Sequence, residues 1–161
     1  MGVSIHATRS SGAGESGIVE PSDADVDQFI ADLTPASRRD NATKLCSLLR
    51  VITGAQPRMW GTIIGFGSCH YTYPTGTQGD SPIIGFAPRK GQTTVYLLDG
   101  VDSHAEALSA LGPHSTGKGC LYLKNVDLVN RTVLTGIITE SIRKVTDDDV
   151  PGVRLTVTDP L

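Results

Sequence analysis

Apolar residues recur at two different periods along this chain, and the change of period divides it. Val26, Phe29, Ile30 and Leu33 are spaced i, i+3, i+4, i+7, the stripe of an amphipathic helix. Ser22, with Asp25 three residues on, has the form of a capping box and predicts the start of that helix. Thr34-Pro35 ends it and opens a second helix over about Ala36 to Thr53, with Ala42, Leu45, Leu49 and Ile52 on one face and Gly54 as the stop. Near residue 60 the pattern shortens. Thr62–Phe66, Cys69–Tyr73, Ile83–Ala87 and Thr93–Leu98 are strand-like runs separated by turn residues, which predicts an antiparallel meander. A short helix over about Ser103 to Leu111, a loop from Gly112 to Gly119 and a fifth strand, Cys120–Lys124, follow. The last helix, about Asn130 to Val145, carries Val133, Leu134, Ile137, Ile138, Ile142 and Val145 as its stripe.

The predicted order ααββββαβα is satisfied by an α+β fold: a five-stranded, mainly antiparallel sheet with helices packed on one face. The other face is then left to solvent or a partner. Residues 1–20, rich in Ser and Gly, are expected to be a disordered tail. Residues 21–146 form the predicted domain, and 147–161 a C-terminal tail or an optional edge strand.

Composition narrows the picture. With 39% hydrophobic and 19% charged residues, 161 residues can build a core, which must be mainly aliphatic because aromatics are 5%. Apolar runs are too short to cross a bilayer and the N-terminus shows no apolar leader, so a cytoplasmic location is expected. Cys46, Cys69 and Cys120 are odd in number and widely spaced, which argues for buried thiols over a disulfide framework. The charge is polarised. Glu15, Glu20, Asp23, Asp25, Asp27 and Asp32 fall in a stretch without Lys or Arg, whereas residues 33–144 hold 12 Lys/Arg against 7 Asp/Glu.

Three motifs occur in order: Pro57-Arg58-Met59-Trp60-Gly61 leading to Ile64-Gly65-Phe66-Gly67; Gly85-Phe86-Ala87-Pro88-Arg89-Lys90; and Leu111-Gly112-Pro113-His114 followed by Gly117-Lys118-Gly119-Cys120-Leu121-Tyr122-Leu123-Lys124. Over residues 22–146 the chain resembles the YdhG-like family of bacterial domains, grouped with YjbR-like and CyaY/frataxin-like folds. The resemblance implies a non-enzymatic module that binds iron weakly at the surface and hands it to an iron-accepting protein from an acidic first helix.

The residues themselves leave two readings for that helix. Glu20, Asp23 and Asp27 supply carboxylate oxygens of the kind hard cations accept, and Asp23 and Asp27 are expected to share a face. The same acids serve equally as caps and dipole partners. Arg58, Trp60, Arg89, Lys90, His114 and Lys118 are the second candidate group: either a pocket for a small anion or a protein partner, or a packed Trp with cations at the sheet ends. Gly112–Gly119 imitates a P-loop but ends in Gly where Ser or Thr is needed, and lies between helix and strand, the reverse of the P-loop context. Cys69 and His70 alternate along a strand and make no dyad. His104-x-Glu106 lacks the Cys pair of a zinc deaminase. No enzyme, no tightly bound cofactor and no nucleic-acid partner is therefore expected, although Tyr71, Tyr73 and Tyr96 are the residues that would stack bases if one bound.

Overall fold

The computed structural model describes residues 20–161. The predicted N-terminal tail, apart from Glu20, lies outside the described residues.

The helices follow the apolar stripes. Helix α1 (Val26–Ala31) starts later than predicted. Asp25 is its N-cap and accepts from the Gln28 N–H at 3.1 Å. Ser22 lies instead in a two-residue strand, β1 (Pro21–Ser22), paired with Met59. Helix α2 (Ala36–Thr53) buries Ala42, Leu45, Cys46 and Leu49 and ends at Gly54, whose φ of 70° is the left-handed conformation that glycine adopts without strain. The predicted helix over 103–111 is shorter: a 3₁₀ turn (Asp102–His104) followed by α3 (Ala105–Leu108). Helix α4 (Arg131–Thr146) is capped by Asn130, which accepts from the Val133 N–H, and buries Leu134, Ile137, Ile138, Ser141 and Val145.

The protein is α+β, with four α-helices among the described residues, but the sheet differs from the five-stranded meander expected. All its ladders are antiparallel. Seven strands form one sheet in the order β1-β2-β3-β6-β7-β9-β8, and three form another in the order β10-β4-β5. The larger sheet adds β2 (Arg58–Trp60) and β8 (Ser115–Thr116) to β3 (Ile63–Phe66), β6 (Ile84–Arg89), β7 (Gln92–Tyr96) and β9 (Cys120–Leu123). The smaller holds β4 (Ser68–Thr72), β5 (Gln78–Ser81) and β10 (Arg154–Asp159).

The predicted second strand thus leaves its neighbour. The partner of β3 is β6, and β4 with β5 is an excursion between them. Gly67 makes this possible. Its φ is +66°, and a Cβ there would come within 2.8 Å of Ile83 Cδ1, so the chain can turn sharply out of the sheet and return, with Ile83 N–H donating to the Phe66 carbonyl at 3.0 Å.

One face of the larger sheet presents Met59, Ile64, Phe66, Ile84, Phe86, Val95, Leu121 and Leu123 to the buried residues of α1, α2 and α4. Each fully buried Leu or Ile here contributes about 1.5–3 kcal/mol relative to exposure. The smaller sheet packs Cys69, Tyr71 and Leu155 against Ile83, Leu98 and Val145, a second core that shares α4 with the first. Among the described residues no helix is long and apolar enough to cross a membrane.

Candidate functional site

The predicted acidic site takes a different geometry. Asp23 precedes α1, so it and Asp27 do not share a helical face. Each meets an arginine brought by the fold: Asp23 lies 3.2 Å from Arg58 and Asp27 3.3 Å from Arg50. Asp25 is spent on the cap, Asp32 accepts from the Gln28 side chain, and Glu20 is exposed. Among the described residues no three His, Cys, Asp or Glu side chains come together as a metal-binding group.

The second candidate group is spread across the larger sheet. Arg58, Gly65, Gly85, Tyr96 and Cys120 form one cross-strand row on the face that the helices leave bare. Four strand spacings separate β2 from β9, roughly 19 Å. Arg58 and Lys118 therefore share no pocket. Trp60 is 2% exposed and packs with Ile63, Ala87, Tyr96 and Cys120. Its ring lies over Gly65, where a Cβ would meet Trp60 Cδ1 at 2.8 Å and Pro82 at 2.6 Å. Arg89 donates to Thr62 Oγ1 and to the Tyr96 hydroxyl, while Lys90 is exposed in the β6–β7 turn. His114 is exposed, with Nδ1 bonded to the Gly112 carbonyl. This face closes over itself with its own long side chains, so Tyr96 offers no stacking surface. Tyr71 lies buried in the smaller sheet's core, edge-on to Tyr73 at 5.7 Å.

The Gly112–Gly119 segment is a β-hairpin arm: Ser115 and Thr116 pair with Tyr122 and Leu121, and Lys118 sits at the turn. Lys118 borders a groove. This groove, about 380 Å³, is walled by Tyr73, Leu97, Leu98, Val101 and the Val150–Val153 connection. Its floor is pinned by Leu97 N–H to the Gly119 carbonyl at 2.8 Å and Val101 N–H to the Lys118 carbonyl at 2.9 Å. Lys118 is exposed and makes no salt bridge among the described residues. Asp102 lies on the same rim.

Beneath this groove is a polar network that the motifs did not reveal. Asp99 accepts from His104 Nε2 at 2.7 Å and from Ser141 Oγ at 2.6 Å. The Asp99 and His104 side chains are 1% and 3% exposed. Burial pushes the Asp99 carboxyl upward, but the bonds from His104 and Ser141 outweigh it and hold the group below its ordinary value. Two signals for it are present in the chain. Asp99 is a lone acid directly after an apolar strand, and Ser141 is a polar residue on the buried stripe of α4, four residues from both Ile137 and Val145.

The three cysteines are buried thiols outside any disulfide, and burial pushes the Cys69 thiol up to about 12 and raises that of Cys46. On the smaller sheet's outer face, His70 bonds Asp80 and Gln78 at 2.8 Å each, and these bonds raise its pKa. Cys69 and His70 point to opposite sides of β4. Comparison with family models, curated proteins and solved structures finds no match for this chain.

Proposed function

We propose that this chain is a non-enzymatic binding module of the YdhG-like, frataxin-related kind, and that the groove beside Lys118 holds a ligand with an apolar body and an anionic head. The observation that carries this reading is the combination of aliphatic and aromatic walls with an exposed cation that makes no salt bridge among the described residues at one end. Small-ligand sites pair apolar walls with a few placed polar groups in this way. The anionic head belongs at the Lys118 end, because Asp102 repels it from the remainder of the rim.

Iron delivery from Glu20, Asp23 and Asp27 has weaker support, because a cation there must compete with Arg50 and Arg58 for the same carboxylates. Backbone NMR separates the two readings. Hexanoate is expected to move the amides of Gly100, Lys118 and Gly152, and Lys118→Ala to weaken that response several-fold. Hexanoate that leaves these amides unmoved would sink the groove reading. Anaerobic ferrous ion that moves the α1 amides would restore the iron reading.

A further inference from the structure

A second groove, about 460 Å³, runs between α3 and α4 beside the buried Asp99–His104 pair. Its wall includes His104, whose side chain is 3% exposed. Because the Asp99 carboxylate only accepts, His104 Nε2 carries the proton in their bond, and in the neutral ring Nδ1 presents its lone pair. Nδ1 has no hydrogen-bond partner among the described residues, and the buried polar atom left unpartnered among them is Arg50 Nε. His104 lines the groove, and Nδ1 is the ring nitrogen that the bond to Asp99 leaves over.

The surrounding chemistry has one sign. Glu106 is exposed and makes no salt bridge among the described residues. Glu140 lies at the other rim, held by Arg143 at 2.9 Å, and that arginine is also committed to Asp147 and Asp149. Lys144 is close enough to help lower the Glu140 carboxyl, but the groove wall itself supplies acceptors. The floor is Ala107, Val133, Ile137 and Gly136. A Cβ at Gly136 would meet nothing within 4 Å. Glycine weakens a helix interior relative to alanine, and no packing among the described residues accounts for it here. A bare stretch of helix beside an unpartnered acceptor leaves room for an alkyl chain.

We propose that the α3–α4 groove binds a cationic head on an alkyl stem, an ammonium or a guanidinium, with His104 Nδ1 and Glu106 as its acceptors. The stem lies over Gly136 and Ala107. A free amine and the lysine side chain of a peptide share this chemistry. The site is separate from the Lys118 groove, so either can fail without the other.

The test is a titration of the full chain, followed through the His104 imidazole nitrogens and the Ala107 and Gly136 amides. The probes are n-butylamine, n-butylguanidine, butyrate, n-butanol and an end-blocked Ala-Lys-Ala peptide. Both cationic probes are expected to shift these signals, while butyrate and butanol leave them in place. Gly136→Leu fills open space, so it should fold as the parent does and weaken cation binding at least tenfold. Glu106→Gln should weaken it several-fold. A tighter response to the peptide than to butylamine assigns the site to a protein partner's lysine, and the reverse assigns it to a small amine. No shift with either cation, an equal shift with butyrate or butanol, or undiminished binding by the Gly136→Leu variant would overturn the proposal.

Discussion

Two sets of carboxylate pairs in this molecule sit in opposite surroundings. At α1 the pairs Asp23–Arg58 and Asp27–Arg50 are open to water, with Asp23 fully exposed and Asp27 78% exposed. Between α3 and α4 the Asp99–His104 pair is almost sealed. The exposed acids are conspicuous in the sequence because they cluster. The buried one stands alone and escapes notice. Energetically the ranking reverses: water and salt screen the clustered pairs, whereas breaking one side of a sealed pair leaves buried polar groups without partners.

The largest effect is expected at that network. Asp99→Ala leaves the His104 N–H and the Ser141 hydroxyl without an acceptor and is expected to destabilise the fold by about 1–3 kcal/mol for each stranded group in chemical denaturation, and a loss below 1 kcal/mol would put the two regions on a par. pH sharpens the contrast. Because the folded-state pKa of Asp99 is depressed, its contribution is present above the ordinary carboxyl value of 3.8 and is lost as pH falls below that through the lower folded value. Asp99→Asn should therefore flatten the acid limb of the stability profile. Asp25 comes next. It bonds a backbone N–H that otherwise has no partner, so Asp25→Ala should cost about 1 kcal/mol, measured in the same way. The smallest effect is expected at the surface pairs. Asp23→Asn and Asp27→Asn should each change stability by less than about 1 kcal/mol, and the difference should vanish in high salt. A salt-independent loss at Asp27 would show that its arginine pair is less exposed than its geometry implies.

Parts of the fold were legible because they depend on local periodicity. Helix α2 spans Ala36–Thr53 as its stripe and its terminal glycine predicted, and α4 differs from expectation by one residue at either end. Parts that depend on pairing were not. Thr62–Phe66 and Cys69–Tyr73 read as neighbours, since two strands joined by two residues usually pair. Gly67 instead sends β4 to a second sheet with β5 and β10. Strand β5, Gln78–Ser81, has the composition of a turn and becomes a strand by lying beside β4. The candidate site divided in the same way. Arg58 and Lys118 lie in similar motifs, yet strand order puts them at opposite sides of the sheet, and Lys118 meets a groove lined mostly by residues outside the motifs.

By itself, then, the sequence determined the α+β composition, the two long helices, the aliphatic character of the core and the burial of Trp60. These are consequences of residue type and spacing along the chain, where neighbours in sequence are neighbours in space. Only the tertiary structure decided which arginines answer Asp23 and Asp27, that Asp99 meets both His104 and Ser141, and where the two grooves open. Those outcomes join residues up to 42 positions apart, Asp99 and Ser141, in the buried network and 35 apart at the surface. Such meetings depend on how elements stack after they form, and no local pattern of apolar and polar positions encodes that stacking.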